Sequence, residues 1–190
     1  MPSQDLAVTG LQSGETLFGL DVRPADGKLY AVGSANILYT IDRASAVATA
    51  VAPLVAANGD DNPFVSLEPC DYGIDFNPAA DLLRAVTAEG VNLRIVPSAR
   101  MANAVGDTLS DAFLNPGTPN VVAAAYTNNF AGTSSTTLYV LDTWADTLLT
   151  LGGLNGMPSP NTGTLAQIGQ LGFDATGNAG FDIVGGHNGL

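Results

Sequence analysis

One cysteine, one histidine and one lysine stand in a chain of 190 residues. Each scarcity excludes a class. A lone Cys70 forms no intrachain disulfide, and beside Pro69 and Asp71 it reads as a small residue at a strand start. A lone His187, in the run 185–189, leaves any serine or cysteine nucleophile with one remote base, and no G-x-S-x-G elbow occurs. Zinc and similar ions want several His or Cys ligands, more than the chain owns. With six cationic residues against eighteen acids the net charge is −12. No basic face exists to displace counterions from nucleic acid, and an anionic membrane surface would repel such a chain. No apolar run approaches the roughly eighteen residues of a membrane helix, so no membrane insertion is expected. The opening MPSQDLAVTG lacks the basic-then-apolar layout of a signal peptide. No Gly-rich loop ends in Lys to cradle a phosphate.

Glutamate is scarce as well, at three against fifteen Asp. A helical protein would favour Glu. Asp suits turns, because its short carboxylate takes nearby backbone N–H groups. With 22 Gly and 11 Pro, the composition is that of a turn-dense β protein.

The pattern agrees. Residues 18–32 read FGLDVRPADGKLYAV and residues 72–86 read YGIDFNPAADLLRAV. Phe18, Leu20 and Val22 alternate with Gly19, Asp21 and Arg23, the two-residue period of a pleated strand. Pro24–Gly27 is a turn, and Leu29–Val32 returns. ILYTID at 37–42 and VNLRIV at 91–96 occupy matching places in the two copies, and TLYVLD at 137–142 marks a third. LGFD at 171–174 and GFDI at 180–183 mark the start of a fourth. Repeat units at about 15–52, 70–98, 120–152 and 164–190 predict a single all-β domain over 1–190. The expected architecture is a β-propeller-like array of antiparallel meander blades, about three and a half of them, in an incomplete ring. A closed β-sandwich is the rival. Gly19 and Gly73 predict close approach of neighbouring sheets.

Together GLDVRPADGKLYAVG, LYTIDRASAVATAV, GIDFNPAADLLRAV, AAYTNNFAG and GTLAQIGQLGFDATGNAGFDI resemble an uncharacterised bacterial family of secreted or surface proteins, catalogued as a domain of unknown function. The resemblance covers about residues 8–184. It implies propeller-like repeats and a location outside the cell or at its surface. Family members usually carry a further strand pair on either side, so a partner chain or a second copy is expected to complete the ring. The resemblance brings no catalytic residues.

Candidate chemistry therefore comes from oxygen ligands. Asp21, Asp75, Asp174 and Asp182 each follow Gly and an apolar residue, and one per blade could converge on Ca2+ in a central channel. Asn128 and Asn129 offer the matching position in the third unit. The competing reading makes each Asp a cap on its own following turn. Asp60 and Asp61, in NGDDN, form a second oxygen-rich loop that reads as a surface ion site or a solvated turn. Glycoside hydrolysis needs paired acids, but Glu15, Glu68 and Glu89 fall in loops. Arg23, Arg84 and Arg94 could gather around a substrate carboxylate, yet the copies disagree, with Asn77, Tyr30 and Thr40 in the corresponding places. Trp144 is expected at a hairpin tip, packed on its own blade; exposed there, it could stack on a sugar or a partner.

Two functions follow. One is a calcium-dependent hydrolase of small esters or lactones, such as acyl-lactones, with the ion polarising a carbonyl. The other is a non-enzymatic recognition or adhesion module with structural calcium, binding a small neutral molecule or a glycan.

Overall fold

A computed structural model describes residues 5–186. The fold is all-β, with no α-helix among the described residues, and its thirteen strands form three sheets. The first sheet is a meander of β1 (Leu17–Val22), β2 (Leu29–Gly33), β3 (Ile37–Ile41) and β4 (Ala48–Pro53). In the second, β6 (Tyr72–Asn77), β7 (Leu82–Thr87), β8 (Asn92–Ile95) and β9 (Asp107–Ser110) meander alike. Its outer edge is extended by β5 (Val55–Ala56), which pairs parallel with β9. This short strand stitches the end of the first repeat onto the second sheet. The third sheet is β10 (Val121–Tyr126), β11 (Leu138–Asp142), β12 (Thr147–Leu151) and β13 (Leu165–Gln170).

Turn chemistry sets these meanders. Asp42 takes the N–H groups of Ala44 and Ser45 at the β3–β4 turn. Asp142 takes that of Trp144 at the β11–β12 turn, and Asn77 those of Ala79 and Ala80 at the β6–β7 turn. Each is a short side chain satisfying the donors that a tight reversal exposes.

The three sheets begin where the first three repeat units do, and the residues expected to open a fourth unit join the third sheet. Leu165–Gln170 pairs with β12 and closes the third sheet. It does not begin another. No strand follows among the described residues, and the segment 179–181 instead lies beside β1, β6 and β10.

Sheets stack through the strands that open each repeat. A Cβ on Gly73 would stand 2.6 Å from the carbonyl carbon of Ala123, so β6 can lie against the backbone of β10 only without a side chain there. At Gly19 a Cβ would meet the tip of Ile74 at 2.8 Å. Two cores fill the spaces between sheets. Tyr30, Val32, Leu38, Ile74, Phe76, Leu83 and Ile95 form one between the first and second. Val86, Leu114, Val121, Tyr126, Leu138 and Val140 form the other between the second and third. The middle sheet is covered on both faces, whereas β4 and β13 at the outer edges are largely exposed.

Candidate functional site

The repeated Asp spans the seams between sheets. Asp21 on β1 accepts the backbone N–H of Phe76 on β6 at 2.7 Å, and that of its own neighbour Val22. Asp75 on β6 accepts the backbone N–H of Tyr126 on β10 at 2.8 Å. One sheet's carboxyl thus satisfies the next sheet's inner strand, a buried donor that would otherwise be orphaned. Neither Asp caps the turn that follows it, which corrects the turn-cap reading.

Their electrostatics are strained by proximity. Asp75 is buried, and desolvation together with the facing Asp21 pushes its pKa well up. Asp21 is raised too, chiefly by burial. The two carboxyls lie within hydrogen-bonding reach, and Asp182 adds like charge to both. Burial and mutual proximity both disfavour ionisation of the pair.

Of the predicted ion ligands, then, Asp21, Asp75 and Asp182 come into one another's field, and Asp174 stays exposed outside it. The equivalent position in the third sheet is Ala125, which pairs with Tyr139 as Asp75 pairs with Arg84. Asn128 and Asn129 lie past the strand end. Asn128 donates to the Ser135 carbonyl, and the side-chain oxygen of Asn129 is buried with no partner among the described residues. No group of three or more His, Cys, Asp or Glu is placed to hold a metal ion among the described residues. Asp60, in the surface loop, gives its oxygens to the N–H groups of Ser110 and Asn62. His187 lies outside the described residues. Cys70 is half-buried, and desolvation raises its thiol, the reverse of an activated thiolate. Trp144 sits at the β11–β12 turn as expected, but it is exposed rather than packed on its own sheet.

A different cluster emerges where the repeat breaks. Arg84 pairs across the ladder with Asp75, the place Tyr30 holds opposite Asp21. Arg94 sits directly opposite Arg84, where Thr40 sits opposite Tyr30. Two cations facing each other across a ladder repel, and Asp111 holds them together. Its carboxylate takes Arg84 Nη1 at 2.6 Å and Arg94 Nε and Nη2 at 2.7 Å each. Arg84 is 2 % exposed. It also donates to Asn92 Oδ1 at 2.7 Å, Asn161 Oδ1 at 2.8 Å and the Tyr126 hydroxyl at 3.3 Å. Burial works against its charge, but the oxygens around it win and raise its pKa. Ser159 and Pro160, in the short 3-10 turn Pro160–Thr162 and its cap, close over a cavity of about 120 Å³ walled by Arg84, Arg94, Tyr126 and Asn161. Arg94 also lines a surface hollow of about 480 Å³ beneath loop 57–62.

Sequence reasoning passed over this cluster because the copies disagreed at these positions. The available signal was Arg84 in the middle of LLRAVT, a charged residue inside an otherwise apolar strand.

By fold and site the described residues form stacked antiparallel meander sheets, with carboxyl latches at their seams and an arginine-lined cavity in the second. The chain belongs to the family described as Domain of unknown function (DUF4394), whose family model matches residues 1–189. No curated protein and no solved structure matches it.

Proposed function

We propose that the protein is a recognition module that takes a small ligand into the second seam and acts outside the cell or at its surface. The carrying observation is the Arg84–Arg94 cavity. There the repeat gives up an aromatic and a threonine to bury cations around an open space. Burying a charge is costly, and a purely structural seam could have kept Tyr and Thr, as the first seam does. The lining residues include no His, Cys or Glu, so the site offers donors and charge rather than a nucleophile with its base. The test is calorimetry against a panel of small acids, neutral sugars and polyols, with ester and acyl-lactone turnover followed on the same sample. Binding without turnover, weakened by substitution at Arg94, is the expected result. Turnover, or binding that Arg94 does not affect, would overturn it.

The calcium-dependent hydrolase of small esters or lactones is the second reading. The mutual repulsion of Asp21, Asp75 and Asp182 favours it, since a cation would relieve that repulsion. It requires calcium binding to metal-free protein that is lost in Asp75→Asn.

A further inference from the structure

The cavity's hydrogen-bond inventory is one-sided. Its acceptors are spent. Asn161 Oδ1 takes Arg84, the Pro160 carbonyl takes Asn92 Nδ2 and the Gly163 N–H, and the Ala80 carbonyl takes Arg100. Asn77 Oδ1 takes the N–H groups of Ala79 and Ala80. Donors remain. The Tyr126 hydroxyl accepts from Arg84 but gives its own hydrogen to no described residue, although Tyr126 is 1 % exposed. Arg94 spends Nε and Nη2 on Asp111 and leaves Nη1 without an acceptor. The Ser159 hydroxyl accepts from the Asn161 N–H, and its hydrogen is likewise unused. A buried tyrosine hydroxyl normally finds an acceptor. Here no described residue supplies one.

Charge points the same way. Two guanidinium groups against one carboxylate leave a single net positive charge around the cavity. It stands in a chain of net charge −12, which has only six cationic residues to place. The volume, about 120 Å³, far exceeds the ~10–15 Å³ that one water molecule needs. It suits a short acid rather than a single solvent molecule.

Deepening the recognition reading and resting on it, we propose that this cavity binds a small monocarboxylate, with Tyr126, Arg94 and Ser159 supplying its donors beside the fixed Arg84. A carboxylate is planar, acceptor-only and singly charged, so it matches unspent donors and one net positive charge together. A phosphate, at nearly two negative charges, would be left undercompensated.

The experiment is isothermal calorimetry of the full chain with acetate, glycolate and lactate, set against inorganic phosphate and the uncharged glycerol and glucose. Tyr126→Phe removes one donor at constant shape, and Arg94→Gln removes the net charge at the partly exposed rim. Circular dichroism and thermal unfolding report whether each variant is folded. Carboxylates are expected to bind in preference to phosphate, with affinity falling about tenfold in each folded variant, the size of one charge-assisted hydrogen bond. Because Tyr126→Phe is nearly isosteric, it supplies the decisive arm if Arg94→Gln unfolds. Carboxylate binding indifferent to Tyr126→Phe overturns the proposal, as does tighter binding of phosphate. Binding of the uncharged compounds alone overturns the carboxylate inference and leaves the recognition reading standing. Binding of nothing in the panel overturns both.

Discussion

Across the first seam Tyr30 meets Phe76 edge to face, with ring centroids 5.4 Å apart. Across the second, the equivalent pair is Arg84 and Tyr126, joined by a hydrogen bond of 3.3 Å. Both seams keep the same backbone latch, from Asp21 to Phe76 and from Asp75 to Tyr126. Only the side chains beside the latch differ. The first seam packs Tyr30 on Phe76, and its own buried cation, Arg23, lies over the Tyr30 ring and bridges the partly exposed Asp26 and Asp81. The second carries a cation into the interior and builds a polar shell for it. A repeat fixes where strands and latches fall. The residues that leave the repeat are free to do something else, so departures from a repeat are where ligand chemistry should be sought.

Removing the buried cation is the harshest way to break the comparison. Arg84→Leu leaves Asn92 Oδ1, Asn161 Oδ1 and one Asp111 contact without their donor. Breaking a buried charged network costs about 3–5 kcal/mol. Tyr30→Leu loses an aromatic contact and one hydrogen bond to Asp26, or about 1–2 kcal/mol. Denaturant unfolding of both variants should therefore separate the seams by about 2 kcal/mol or more. Equal losses would mean that the arginine network is no more than an ordinary packing contact.

The glycines give the next largest effect and concern the shared frame. Gly73→Ala drives a methyl group into the backbone of Ala123 and Ala124, at 2.6 and 2.7 Å. Backbone cannot rotate away, so a loss of about 3 kcal/mol is expected. Gly19→Ala meets only the side chain of Ile74, its terminal methyl at 2.8 Å and its Cγ1 and Cβ at 3.0 and 3.1 Å, which yields by a few tenths of an ångström more readily than backbone does. About 1 kcal/mol is expected there. Thermal unfolding of the pair tests whether the second seam is the tighter. The reverse order would contradict the packing described.

Asp75→Asn should raise stability at neutral pH, against the usual direction for a buried substitution. The Asp75 carboxyl has a higher pKa folded than unfolded, and the unfolded value is near 3.9. The folded chain therefore binds that proton more tightly. Its stabilisation is full below the unfolded value and is lost as pH rises through the folded one. Asn keeps an oxygen for the Tyr126 N–H and carries no charge to lose. A gain of about 1 kcal/mol at pH 7, vanishing toward pH 3, is expected from unfolding curves across that range. A variant less stable than its parent at pH 7 would show that the ionised form is the one the seam needs, as bound calcium would require.

Strand and turn positions were legible in the sequence because each depends on neighbours within a few residues, and Gly19 and Gly73 were legible as bare positions although the atoms they face lie 50 or more positions away. Alternation shows a pleat, and Asp or Asn before a tight reversal shows a cap. The seam contacts were not legible. Asp75 finds its partner 51 positions on, and Arg84 finds Asp111, Tyr126 and Asn161 at separations of 27, 42 and 77. No local pattern encodes such distances. The repeated Asp stood out in the sequence, but the backbone N–H of the next sheet that each one accepts did not. Leu165–Gln170 was assigned to a fourth unit because its alternation cannot say which sheet it joins. Pairing with β12 decides that.

Asp182 supplies the smallest and most local test. It is exposed on the segment after β13, yet it raises the pKa of both Asp21 and Asp75. Asp182→Asn removes that repulsion without touching either latch. Exposed substitutions usually change stability by no more than about 0.5 kcal/mol, and the gain here should be no larger. The sharper readout is the titration of Asp75 followed by carboxyl carbon NMR, which should move to lower pH in the variant. The Arg84 cavity lies across the second seam and should keep its ligand affinity unchanged. If Asp182→Asn left the Asp75 titration in place, the described path of the segment past the inner strands would be wrong. If it altered ligand affinity instead, the two seams would have to be coupled through β6, and the division between a structural first seam and a binding second seam would fail.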